Sequence, residues 1–318
     1  MNSYPLSQIV NITKDKLVGR GDILVDGFST IENSSKTKIT LVLSKKVISN
    51  RNISEDAIIL TNEDLASNFP KNCKIISDNP KLSFALISRL FQESSSLTNL
   101  MPITGTNVLI GKNPIIGFGT VLEDNVSIGN NVIIDHNVVI HRGVKIGNNV
   151  RIGAGSVIGS EGFGNVLRSD KKWEHISHLG SVIIYNNVSI GSNCSIDRGT
   201  IDNTIIYSNV IIDNQVHIAH NVTIGEGTAI AAKVGIAGSC NIGKRNMIGG
   251  MVGIVDHINT ADDVIISATS TVNKDLKEPG TYTGIMPISK HSEWKRIALW
   301  ITKLDKILKF INLKISKL

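Results

Sequence analysis

Aromatic residues are scarce in this 318-residue chain, at 4% of the total. The hydrophobic 41% is therefore mostly aliphatic, and a core that needs few rings is the one available. Cysteine is as sparse: Cys73, Cys194 and Cys240 lie far apart and match no metal or disulfide spacing. No metal site and a reducing, cytoplasmic setting are expected. Cys194 and Cys240 read as small core residues. No apolar stretch reaches about 18 residues without interruption, so no transmembrane helix is expected. The opening MNSYPLSQIVNITKDK lacks a charged segment followed by an apolar one, so no secretory signal is apparent. Excess charge is also missing from most of the chain. The net +6 resides in residues 285–318, which hold eight basic and two acidic residues. No nucleic-acid partner is expected.

What the chain has instead is a period of six. From Val210 to Asp275 run eleven hexads in unbroken register. Their third residue is Ile at 212, 218, 224, 230, 236, 242, 248 and 254. Neither a lone helix nor an alternating strand has that period. Short strands joined by tight corners do, three hexads to a triangular coil. The repeated Ile points inward, and Gly or Asn suits the left-handed corner. An earlier run begins near Val108, breaks at Gly162 and resumes at Val188. The polar interruption, which carries Trp173, reads as a loop ejected on one face, often the binding face. A second slip falls near 201–209.

Residues 1–98 lack the hexad and read as a small α/β domain. Strands are expected at Asp22–Val25, Lys38–Leu43 and Ala57–Leu60, and a helix at Leu82–Phe91 after Asn79-Pro80. Residues 99–280 form the expected catalytic prism. In 281–318 the period changes again. Trp294, Ile297, Ile301, Leu304, Leu308, Ile311, Ile315 and Leu318 are spaced three and four apart, the seam of a helix of at most about seven turns. Packing of that helix on its own prism and association of three prisms both fit; the homotrimer is favoured. The fold class is mainly β: a left-handed parallel β-helix with an N-terminal α/β domain and a C-terminal helix.

His220 is the best site candidate, although a single His on a solenoid corner is usually a solvated one. His217 reads as structural, and His136 and His141 as exposed. Histidines shared across a trimer interface also raise a zinc reading, as in hexapeptide-repeat carbonic anhydrases.

Over nearly its whole length the chain resembles the UDP-3-O-acylglucosamine N-acyltransferases of lipid A synthesis. The resemblance rests on GSEGFG (159–164), Trp173, IDRGTIDNTII (196–206), IIDNQVHIAHNVTIG (211–225), AGSCNIG (237–243), MIGG (247–250), EPGTYTGIMP (278–287) and NPKLSFA (79–85). It implies a homotrimer with sites in grooves between prisms. It also implies transfer of a 3-hydroxyacyl chain from acyl carrier protein to the 2-amino group of the nucleotide sugar, with no cofactor. His220 matches the catalytic base, Gly238 the residue whose N–H meets the thioester oxygen, and His257 a second histidine that contacts substrate. The chemistry is reasonable by itself. Imidazole can take a proton from a sugar ammonium near neutral pH, and a fixed N–H can stabilise the oxyanion. His220 and His257 are 37 positions apart, two coils plus one residue. That separates them by roughly 10 Å along the axis and assigns them separate roles.

The departures lie in the first domain. Where the family stacks two aromatics on uracil, this chain has Leu41 and Val47, and Ser44 replaces an Asn. Thr271 stands where a larger residue can limit acyl length. The alternative is thus an N-acyltransferase for another nucleotide-linked amino sugar, even with coenzyme A as donor. A non-catalytic scaffold is disfavoured by the presence of His220, Gly238 and His257. The basic tail reads as a carrier-protein dock or a solvated lysine face, and contact with a membrane surface is a third reading.

Overall fold

The computed structural model describes residues 3–45, 53–91, 102–286 and 288–304. The chain divides into two compact units, Met1–Ser95 and Ser96–Leu318.

In the first unit, alternation builds a sheet covered on both faces. Ile58 and Leu60 turn to one side and Ile59 to the other, all fully buried. Among the described residues the sheet runs Lys16–Val18, Lys74–Ile76, Ile58–Thr61, Lys38–Leu41, Gly27–Ser29, with only the first strand antiparallel. Helix Pro80–Ser88 starts where the Asn-Pro pair directs. Asn79 caps it by accepting from Leu82 N at 3.2 Å, and Pro80 needs no partner in the first turn. Helix Leu6–Thr13 has no counterpart among the expected elements. Its signal is the spacing of Leu6, Ile9 and Val10, all buried.

The second unit is the hexapeptide prism, the expected fold class. Strands of two to four residues stack in parallel on three faces. Among the described residues these hold nine, nine and seven strands. Register is set by the repeat: Ile212 pairs with Ile230, Ile230 with Ile248, and Ile248 with Ile266. Those isoleucines are at most 4% exposed. Each buried Ile stabilises the prism by roughly 1.5–3 kcal/mol.

The corners refine the sequence reading. In the first coils the left-handed position is mainly Asn. Asn113, Asn131, Asn149 and Asn187 each donate to the next amide at 3.1–3.2 Å, and Asn209 ends the ladder on the Glu226 carboxylate at 3.1 Å. In later coils the same conformation is taken by Gln215, Lys233, Arg245, Met251 and His257. A left-handed residue with a Cβ costs roughly 1–2 kcal/mol. Inter-coil bonds such as Gln215 N to Ser192 O (2.9 Å) and Met251 N to Ala232 O (3.0 Å) offset it.

Three boundaries move. The prism begins at Ile103–Thr104, one strand before Val108, because that strand pairs with Val121–Leu122. It resumes after the insertion at Val182–Ile184, not Val188: Ile183 pairs with Lys145, and Val182 and Ile184 are buried. The four extra residues at the second slip lengthen that coil from 18 to 22 residues. The last strand, Gly280–Tyr282, pairs with Val264–Ile266. Helix His291–Thr302 follows, with no buried residue. Leu308, Ile311, Ile315 and Leu318 of the heptad seam lie outside the described residues. Among the described residues no helix is long and apolar enough to cross a membrane.

Candidate active site

His220 follows strand His217–Ile218, on the corner of its coil. Its Nδ1 lies 3.1 Å from Asn221 Oδ1. Asn221 is itself fixed. Its backbone N–H donates to Thr204 Oγ1, its Oδ1 accepts from Thr200 N at 3.0 Å, and its Nδ2 donates to Asp202 O. Because Oδ1 takes the Thr200 N–H, it faces His220 as an acceptor. The His220 proton therefore sits on Nδ1, and Nε2 carries the free lone pair. Thr200 and Asp202 belong to the second slip, so that short irregularity orients the imidazole.

One coil further on is Gly238, buried against the same ring. A Cβ there would stand 2.6 Å from His220 Cε1 and 2.7 Å from Nε2, so only glycine fits. Among the described residues its N–H has no acceptor, while its carbonyl accepts from His257 N at 3.0 Å. His257 is exposed on the corner after that, in the left-handed conformation. All three line one groove of about 720 Å3. Its floor is bare backbone at Gly235 and Gly253, where an added methyl would meet nothing within 4 Å, and Thr271 stands at its far end. Among the described residues His220 and His257 share no hydrogen bond.

Asp197 and Arg198 separate in role. Asp197 is buried at the groove wall, accepts from Ser160 Oγ at 2.8 Å, and lies 3.7 Å from His217 Nε2. His217 thus faces the groove beside Asp197. Arg198 is buried and donates to Gly159 O and Arg142 O, each at 2.7 Å. Burial pulls its guanidinium below the ordinary value.

The insertion adds a group that the sequence analysis does not single out. Its hairpin, Asn165–Leu167 with Trp173–His175, returns the chain over His220. A methyl on Gly162 would meet His220 Cδ2 at 2.9 Å. His178 is fully buried, with its ring centroid 5.3 Å from that of His220 at an interplanar angle of 71°. The His175 ring stacks with His178 at a centroid distance of 6.5 Å and is bound to Glu161 at 2.7 Å. That bond holds the Glu161 carboxyl below the usual range. The signal in the sequence is the pair of histidines three apart in a polar insertion, which has no period to give it a face.

The other histidines have local partners. His136 Nδ1 accepts from Phe118 N, and His141 Nδ1 meets Glu123 at 3.0 Å. Among the described residues no group of three or more His, Cys, Asp or Glu is placed to hold a metal. In the first unit, Leu41 is half-buried against the unit's own core and Ser44 is exposed. Val47 lies outside the described residues.

The family model for the bacterial transferase hexapeptide (six repeats) matches residues 107–142 and 125–160. A UDP-3-O-acylglucosamine N-acyltransferase of Acinetobacter baumannii (strain AYE) is 37% identical over 328 aligned residues, covering 96% of this chain and 92% of the relative. One from Bordetella avium (strain 197N) is 46% identical over 154 residues. That match covers 48% of this chain and 43% of the relative, so the chain spans less than half the length of that protein. Among solved structures, the UDP-N-acetylglucosamine acyltransferase of Francisella novicida is similar with a TM-score of 0.52 at 24% identity. It covers 68% of this chain and 78% of that one, a likeness of fold alone.

Proposed function

This chain belongs to the UDP-3-O-acylglucosamine N-acyltransferase family, and from that premise we propose that it transfers a 3-hydroxyacyl chain from the thioester of acyl carrier protein to the 2-amino group of UDP-3-O-acylglucosamine in lipid A synthesis. The observation that carries the reading is His220 in a fixed tautomer, its free Nε2 held against Gly238 in an open groove. The amine nitrogen attacks the thioester carbonyl as His220 Nε2 takes its proton. The Gly238 N–H, which has no acceptor among the described residues, donates to the oxyanion. The C–N bond forms, the C–S bond breaks, and the proton passes to the departing thiolate. His257 contacts the substrate further along the groove, and the reaction uses no metal or redox group. The acyl chain lies on the bare floor at Gly235 and Gly253, towards Thr271.

The working assembly is a homotrimer in the cytoplasm, where the carrier protein supplies the thioester. The exposed apolar row Ile211, Met247 and Ile265 on another face supports the trimer. The basic tail then steers the acidic carrier. The test is the purified protein with 3-hydroxyacyl carrier protein and the sugar nucleotide, with the product read by mass spectrometry. Product from wild type and a loss of about 1,000-fold in His220→Ala support the reading, a size set by removing a general base and its positioning. No product from well-folded protein sinks it.

One observation favours a second reading. Leu41 is turned onto its own core and Ser44 is exposed, so neither supplies an aromatic face for a base. The acceptor is then another nucleotide-linked amino sugar for surface polysaccharide. Screening such sugars, with acetyl coenzyme A as an alternative donor, separates the two.

A further inference from the structure

The insertion does more than leave the prism. Glycines at 162 and 164 let it close down on two imidazoles. A methyl on Gly162 would stand 3.2 Å from His178 Nε2, and one on Gly164 only 2.5 Å from His178 Cε1. His178 is fully buried between exposed neighbours, Ser177 and Leu179. Its Nδ1 lies 3.1 Å from Ile176 O, so that nitrogen carries the proton and donates. Its Nε2 is buried and has no hydrogen-bond partner. A buried, unpaired acceptor is a cost of roughly 1–3 kcal/mol, so the bond from Nδ1 to Ile176 O accounts for one ring nitrogen and leaves Nε2 unexplained. What the ring does have is a flat face and an edge. It meets His220 edge to face, and its plane is inclined by 25° to that of His175, 6.5 Å away.

From this arrangement we propose that His178 is a positioning residue for His220: its ring is the wall that, together with the missing side chain of Gly238, fixes the plane of the His220 imidazole. Four neighbours restrain His220. Asn221 holds Nδ1, Gly238 admits the ring from one coil, the Gly162 backbone approaches its Cδ2, and the His178 ring packs against it. Wall and base come from different elements, an insertion and a corner, so neither alone holds the ring. The charged and titratable groups around this wall are His175 with Glu161 on the insertion side and His220 on the corner. Beyond Glu161 lie Arg142 and Arg198 of the prism. His178 sits between them, and an effect through packing needs the flat shape of its ring.

The inference rests on His220 being the base, so the test pairs a kinetic reading with one that needs no substrate. In His178→Ala the ring of His220 can turn off Asn221. The expected result is a kcat at least tenfold lower with KM within about twofold, because geometry and not substrate contact is lost. The ring 15N spectrum of His220, a single Nδ1–H tautomer in wild type, becomes averaged. His178→Phe keeps the flat wall and removes both nitrogens, the unpaired Nε2 and the Nδ1–H that donates to Ile176 O. It is expected to recover kcat to within about threefold of wild type and to restore the single tautomer. Should the alanine variant fail to assemble, His178→Leu fills the space without a planar face and is read the same way. An unchanged kcat and spectrum in the alanine variant overturns the proposal, and so does an equal loss in the alanine and phenylalanine variants. If wild type transfers no acyl group to any acceptor, the functional reading fails while the ring spectra still decide the wall.

Discussion

Gly238 shows how a single residue type can be dictated by a neighbour's ring. Its Cβ would fall 2.7 Å from His220 Nε2, whereas a Cβ at Gly235, one strand position before the corner, meets nothing. Gly238→Ala therefore forces the imidazole aside. Its kcat is expected to fall by about 100-fold, the size of effect that a 1 Å misplacement has on a reacting group. Gly235→Ala should leave the thermal unfolding midpoint unchanged, which checks that a methyl on a backbone floor does not harm the prism. Asn221→Gly keeps the left-handed corner but removes the amide that binds Nδ1. Steady-state kinetics of that variant should give a kcat lower by about tenfold or more, with the fold intact. Histidine and glycine at the end of a hexad were legible in the sequence. The reason Gly238 is glycine was not, because it lies in a distance between coils.

At the scale of the element, the repeat determines nearly everything inside the prism and little of what leaves it. Ile218 pairs with Ile196 and Ile236 and is fully buried. Ile218→Ala should cost about 2–5 kcal/mol, as removal of a packed aliphatic side chain does. Denaturant unfolding measures it. The Asn ladder separates two contributions. Asn149→Gly loses its amide bonds but keeps the conformation, while Asn149→Ala adds a left-handed cost of roughly 1–2 kcal/mol. The alanine variant is therefore expected to be the less stable by that amount. The insertion had no such grammar. Its polarity marked it as a loop, but the hairpin, and the place of His178 behind His220, follow from glycines that permit close approach. The return of the prism at Val182 was hidden because Tyr185 stands where most hexads carry a small or turn-forming residue.

For the whole molecule, the test is assembly. Met247 is 56% exposed and Ile211 55%, in one row on a flat face with Ile265. If the chain assembles as proposed, an apolar patch of that kind is where copies would meet. Replacing Met247 and Ile265 together by Glu should convert the proposed trimer to smaller species in sedimentation. His220, on a different face, keeps its local geometry. If the double variant sediments as wild type does, this face is not the contact.

The amino-acid sequence determined the solenoid by itself, because a hexad with Ile in its third place can be buried in only one way. It also fixed which coil carries His220 and which carries Gly238, since register follows from counting. The order of strands in the α/β unit, the tautomer of His220, the place of His217 on the groove and the packing of His178 against His220 were decided only by the tertiary structure. Each depends on residues that are distant in the chain or belong to segments without period. Their spacing in sequence therefore carries no record of their spacing in space.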